Sequence, residues 1–203
     1  MDKYLNFEDG FYIEAGANDG VAQSNTLGLE KRGWGGLLIE PNQFRFAECK
    51  TNRSNKNIFE NCALVSFEHK GPTIRGNFAE QNVDDSLVGQ VTTPLDYWDT
   101  HKLVASQEKL NRKNVDVPAR TLQSLIDHHN ITQIDFLSLD TEGYEYEAMD
   151  GLDFSKNPPR YIRVETSTFQ YRIDNMIDYL KGKGYSFLEM ASINDCFFRK
   201  KQT

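Results

Sequence analysis

An apolar run that breaks into a glycine turn, Phe11-Tyr12-Ile13-Glu14-Ala15-Gly16-Ala17-Asn18-Asp19-Gly20, is followed by a second apolar run, Leu37-Leu38-Ile39-Glu40-Pro41. The stretch between them has room for one helix, so the pair reads as strand, loop, helix and strand, the layout of a nucleotide-binding half-sheet. Two strands joined this way run parallel, because only a crossover connection returns the chain to the same sheet edge. Gly16 and Gly20 allow a tight turn and close approach of backbone N–H groups to a ligand. Glu40, at the tip of the second strand, is placed to accept hydrogen bonds from both hydroxyls of a ribose. The loop is Glu-x-Gly-x-x-x-Gly and lacks the Gly-x-Gly pair that a pyrophosphate needs. A ligand with a ribose and no phosphate fits better, and S-adenosylmethionine is the common cofactor of that description.

The alternation continues along the chain. Strands are expected over Phe11 to Ala15, Gly36 to Glu40, Asn57 to Ala63, Gln133 to Leu139 and Tyr161 to Glu165, with Val65-Ser66-Phe67 continuing the third or bending away. Helices are expected from Ser24 to Arg32, from Gln43 to Asn52 capped by Asn42, from Thr121 to His129, from Tyr144 to Met149, and from Asn175 to Lys181. In the helix after Thr121, Leu122, Leu125 and Ile126 form a buried stripe at helical spacing. Tyr185 to Met190 and Asp195 to Lys200 form a terminal hairpin around Ser192-Ile193-Asn194. Residues 68 to 116 break the pattern with Gly71-Pro72, Gly76, Asp84-Asp85-Ser86 and Thr92-Thr93-Pro94. Structureless loops of this length are uncommon in compact domains, so the segment reads as a substrate lid and wall; the plainer reading is a surface loop with one or two short strands. Tyr97 and Trp98 within it either stack on a sugar ring or anchor the insertion.

The 203 residues suit a single domain, residues 1 to 203, and an apolar fraction of 38% with 13 Phe and 9 Tyr indicates a packed globule. A net charge of -7 argues against a nucleic-acid partner, whose binding is driven by phosphate neutralisation. The short run Lys109, Arg112, Lys113 reads as a solvated face. No apolar stretch reaches signal-peptide or membrane-span length, and a soluble, cytoplasmic protein is expected. Cys49, Cys62 and Cys196 are widely spaced and read as buried, reduced thiols. His128 and His129 are adjacent in an expected helix, where neighbours point to different faces, and so read as a poor chelate.

Further along, Ile134-Asp135-Phe136-Leu137-Ser138-Leu139-Asp140-Thr141-Glu142-Gly143-Tyr144-Glu145 follows Val117-Pro118-Ala119-Arg120-Thr121-Leu122. Together with Glu14 to Gly20 and Ile39-Glu40-Pro41, these segments resemble the FkbM family of S-adenosylmethionine-dependent methyltransferases over residues 10 to 200, least well across 68 to 116. The resemblance implies a Rossmann-like class I α/β fold, a mostly parallel seven-stranded sheet with helices on both faces and an antiparallel C-terminal hairpin. It also implies O-methylation of a hydroxyl on a sugar, glycan or related small molecule. By the same resemblance the cofactor is held by Glu14, Gly16, Ala17, Asn18, Asp19, Gly20, Asn25, Glu40, Pro41, Asn61, Ala63 and Asp140. Glu14 with Gly16, Asn18, Asp19 and Gly20 takes the methionine part, Glu40 the ribose and the Asn61-Cys62-Ala63 turn the adenine edge. Thr141 departs from the aliphatic residue frequent at that place.

A sugar hydroxyl is a weak nucleophile, so a base or a metal is required. Asp140 is the favoured centre: it contacts either the cofactor or the acceptor, and Glu142 acts as base or orients one. Alternatively Asp140, Glu142 and Glu165 bind Mg²⁺, as oxygen ligands suit a hard cation. Glu165 is either a ligand for a substrate hydroxyl or a structural partner of Arg163 or Arg160. His101 and His69 are further candidate bases. Methylation of a peptide or nucleoside, or a silent cofactor-binding scaffold, are the rival readings, and the intact Asp140-Thr141-Glu142-Gly143 speaks against the scaffold.

Overall fold

The computed structural model describes residues 3–79, 112–166 and 170–201. The strands are β1 (Phe11–Ala15), β2 (Gly35–Ile39), β3 (Ile58–Glu60), β4 (Ala63–Leu64), β5 (Thr73–Ala79), β6 (Arg112–Arg120), β7 (Phe136–Leu139), β8 (Tyr161–Glu165), β9 (Tyr185–Met190) and β10 (Asp195–Lys200). The helices are α1 (Leu27–Glu30), α2 (Gln43–Asn52), α3 (Leu122–His128), α4 (Glu145–Met149) and α5 (Gln170–Gly182). Seven strands make the main sheet in the order β3-β2-β1-β7-β8-β10-β9, parallel except where β10 lies antiparallel between β8 and β9. This is the Rossmann-like arrangement that the family resemblance implies.

Side chains alternate across this sheet with the period of two that strands impose. Ile13, Ala15, Leu37, Ile39, Leu137, Leu139, Ile162, Val164, Cys196 and Phe198 point to one face and pack on α3, α4 and α5 through Leu122, Leu125, Ala148, Met149, Met176 and Leu180. Tyr12, Leu38, Phe136, Tyr161 and Phe197 point to the other and pack on Leu29 of α1, Cys49 of α2, Trp34 and Leu5. Both faces are therefore covered, as parallel strands require. The three cysteines are buried thiols, and burial pushes Cys49 and Cys62 up to about 12, which leaves them poor nucleophiles.

Several local readings change. The expected helix from Ser24 to Arg32 is one turn, Leu27–Glu30, because side chains take the backbone groups before it: Ser24 Oγ accepts from Leu27 N at 3.1 Å and Glu14 from Asn25 N at 2.7 Å. The expected third strand splits. Ile58–Glu60 joins β2, whereas Ala63–Leu64 leaves the main sheet and pairs with β6 in a second sheet of order β4-β6-β5. The expected insertion is therefore flanked by an antiparallel ladder, Thr73 opposite Pro118 through Ala79 opposite Arg112. Its remainder, with Tyr97, Trp98, His101 and Lys109, lies outside the described residues. The final helix starts five residues earlier than expected, at Gln170. No helix among the described residues is long and apolar enough to cross a membrane.

Candidate active site

The strand order reverses between β1 and β7, and at such a point the loops leaving the two strands part to form a crevice. Three strand ends are tied together there by backbone hydrogen bonds. Gly16 N and Ala17 N donate to Ile39 O at 3.0 and 3.1 Å, and Asp140 N donates to Ala15 O at 3.1 Å. Gly16 has φ +81°, and a Cβ on it would stand 1.8 Å from the carbonyl oxygen of Asp140. Only glycine lets the β1 loop lie against the end of β7. Beyond it Asn18 also takes a left-handed φ of 50°, and Asp19 closes the turn by accepting from Val21 N and Ala22 N at 2.8 and 2.7 Å.

Glu40 is 4% exposed, just past β2. Its two oxygens accept from Asn18 N at 2.9 Å and Asn42 N at 2.8 Å. Burial pushes the carboxyl up to about 7, while those two N–H groups and nearby Arg45 pull the other way. Asn42 then caps α2 by accepting from Phe44 N at 2.9 Å. Asn61 Nδ2 donates to Glu40 O at 2.7 Å and Pro41 O at 3.1 Å, which holds the turn before Ala63 against the end of β2.

Glu14 is engaged in a buried network with the segment that follows the glycine loop. It accepts from Asn25 N at 2.7 Å, Thr26 Oγ1 at 2.6 Å and Ser24 Oγ at 3.0 Å, and from Arg53 Nη1 at 3.2 Å. The Arg53 side chain is fully buried. It donates through Nε to Glu30 at 2.8 Å, through Nη1 to Gly20 O at 3.1 Å, and through Nη2 to Tyr12 OH at 2.8 Å and Thr26 Oγ1 at 3.0 Å. Asn25 extends the network to β7, its Nδ2 donating to Ser138 Oγ at 3.0 Å. Glu14 and Asn25 are thus braces of the loop. Sequence reasoning did not single out Arg53, since an arginine after a helix ordinarily reads as solvated.

Across the crevice, Asp140, Glu142 and Glu165 each bring a carboxylate oxygen within 4.8 Å of the other two. Glu142 is held at φ 56° and followed by Gly143 at φ 101°, so the exit loop of β7 doubles back sharply. Glu145 fastens that loop: its Oε1 accepts from Thr141 N at 2.9 Å, Gly143 N at 3.0 Å and Thr141 Oγ1 at 3.1 Å. The Thr141 hydroxyl thus serves as a third donor to this carboxylate. Burial pushes Glu145 up to about 7. Asp140 and Glu165 are hydrogen-bonded to one another, and burial raises both, with Asp140 and Glu142 raising Glu165 further by repulsion. Ionising both of two carboxyls this close is disfavoured, and Glu165 is pushed up to about 10. Arg163 donates to Asp195 at 2.7 Å, and Arg160 lies over the ring of Phe7 at 4.9 Å, at the far end of β8. His69 sits outside this cluster, its Nε2 3.2 Å from Thr73 O.

A family model described as methyltransferase FkbM domain matches residues 14–187, most of the chain, with Glu14, Gly16, Glu40, Asp140, Glu142 and Glu165 inside the match. No curated protein matches it.

Proposed function

Since the chain belongs to the FkbM methyltransferase family, we propose that it is an S-adenosylmethionine-dependent O-methyltransferase acting on a hydroxyl of a sugar, glycan or related small molecule. The observation that carries this reading is the convergence of Asp140, Glu142 and Glu165 at two strand ends, across the switch point from Glu40.

The residues present suit the cofactor. The Glu40 carboxylate receives one N–H on each oxygen and keeps acceptor capacity for two ribose hydroxyls. Asn18 Oδ1 is buried with no hydrogen-bond partner among the described residues, an acceptor that a ligand donor would satisfy. Glu40 would hold the ribose, the loop from Gly16 to Gly20 the methionine end, and the Asn61 to Ala63 turn the adenine edge. Bound S-adenosylmethionine supplies an electrophilic methyl group. A hydrogen bond from a hydroxyl to a carboxylate is charge-assisted, so Glu40→Ala is expected to weaken S-adenosylhomocysteine binding by about 1.5–3 kcal/mol. Calorimetry that finds unchanged affinity would remove Glu40 from the site.

The acid cluster serves the acceptor. Its hydroxyl must lose a proton as the new bond forms, and Asp140 is the base, with Glu142 orienting the hydroxyl. Glu165, hydrogen-bonded to Asp140, fixes its carboxyl group. Asp140→Asn is therefore expected to cut turnover about 100-fold or more. Glu165→Gln keeps a donor toward Asp140 and should stay within about tenfold of the parent, an estimate for a neutral hydrogen bond replacing a charged one. Equal turnover in Asp140→Asn and parent would move the base to Glu142 or to His101.

The same three oxygens favour one further version, in which Asp140, Glu142 and Glu165 would hold a Mg²⁺ ion, which would lower the pKa of the acceptor hydroxyl. EDTA inhibition relieved by Mg²⁺ supports it, and indifference to EDTA supports proton abstraction by Asp140. A labelled-methyl screen over nucleotide sugars, free glycans and lipid-linked sugars tests the acceptor class. Transfer confined to peptides or nucleosides would sink the sugar reading.

A further inference from the structure

We propose that Glu60, His128 and His129 form a second metal site, one for a borderline transition ion of the Zn²⁺ type and separate from the acid cluster. One carboxylate oxygen and two imidazole nitrogens, one ligand atom from each residue, lie within 4.8 Å of one another. His129 Nε2 is 2.6 Å from Glu60 Oε1, and the His128 ring meets the His129 ring edge-on with centroids 4.7 Å apart.

The way α3 ends explains how adjacent histidines converge. In a continuing helix they would diverge by about 100°. Here His128 is the last helical residue, and His129 leaves the helix with φ -92° and ψ 3°. Asn130 then turns left-handed at φ 54°, and Ile131 N reaches back to Ile126 O at 2.9 Å. This is the closure of a Schellman motif, with asparagine standing where glycine is usual. The expectation that the two side chains face apart fails because the helix stops between them.

The donor set decides the ion. Two imidazoles and one carboxylate suit Zn²⁺, Co²⁺ or Ni²⁺, whereas Mg²⁺ demands oxygen ligands. Zn²⁺ bonds to such atoms are about 2.0–2.2 Å, so the Glu60–His129 contact must open slightly and His128 must close in. His128 is exposed and reaches that position by side-chain rotation. Three protein ligands leave a fourth position for water, and the carbonyl end of α3 adds favourable negative potential. Glu60 also holds the crevice by its backbone, because Glu40 N donates to Glu60 O at 3.1 Å. An ion here clamps the end of β3, beside Glu40, to the end of α3.

The test is calorimetric titration of the tag-free, chelator-stripped protein with ZnCl₂ in excess Mg²⁺, which saturates any oxygen-only site. One equivalent is expected to bind, at least tenfold more tightly than to a His128→Gln/His129→Gln double variant and to Glu60→Gln, each folded by circular dichroism. Asp140→Asn is expected to bind Zn²⁺ like the parent, which keeps this site distinguishable from the acid cluster. Parent-like binding by the double variant or by Glu60→Gln, absence of a stoichiometric step, or loss of the step in Asp140→Asn would each overturn the proposal.

Discussion

Gly16→Val is expected to give a protein that melts far below the parent or fails to accumulate in soluble form. The backbone at this position has φ +81°, a region that costs a branched residue about 1–3 kcal/mol. The added Cβ would also lie 1.8 Å from Asp140 O, a backbone atom fixed by the pairing of β7 with β1 and β8. Relieving that overlap by displacing neighbours costs about another 1–3 kcal/mol or more. Together these consume much of the roughly 5–15 kcal/mol that keeps a domain folded. A sequence reading assigns the space in front of Gly16 to the methionine end of the cofactor. The geometry assigns it first to the neighbouring strand, so the damage precedes ligand binding. Thermal unfolding decides between them: a parent-like melting temperature with lost S-adenosylhomocysteine binding would refute the packing account.

Arg53→Met should cost about 3–5 kcal/mol in denaturant unfolding, the usual penalty for breaking a buried ion pair from one side. The substitution fills most of the volume and leaves Glu14 and Glu30 without their cation. Arg53→Lys should rescue little, because a single ammonium cannot reach Glu30, Gly20 O and Tyr12 OH as the guanidinium fork does. Adding Glu14→Gln to Arg53→Met should recover part of the loss, since the uncompensated charge is then gone. A loss below about 1 kcal/mol for Arg53→Met would mean that the network is incidental to stability, because effects of that size are ordinary for surface positions.

Much of this fold is legible from spacing alone. β1, β8, β9, β10 and α2 lie where apolar runs and the Asn42 cap place them, since both signals are local. What spacing misses is set by contacts remote in sequence. Nothing around Ala63-Leu64 tells that these two residues leave one sheet for another, because their partners, Ala119 and Arg120, lie far along the chain. Arg53 has the same character: its acceptors sit at Tyr12, Glu14, Gly20 and Glu30, and no motif joins them. In the candidate site the carboxylates are visible as strand-end residues, but their division of labour is not. Only the structure separates Glu14, turned into the Arg53 network, from Glu40, which sits at the crevice, and Glu145, which fastens a loop, from Glu142, which that loop presents.

The placing of β10 between β8 and β9 bears on how the chain is made. A ribosome delivers β8 and β9 before β10, so for that interval two strands destined to be separated neighbours each expose an unpaired edge. Phe197 and Phe198, both fully buried, arrive only with the last strand of the sheet and complete a core cluster on each face at once. Consolidation of the β8 side must therefore wait for synthesis to pass Lys200, however early the β1 half has formed. During that wait the open edges are the natural targets of chaperones or of unwanted strand pairing between nascent chains. A polypeptide that lacks β10 would then be open-edged and aggregation-prone.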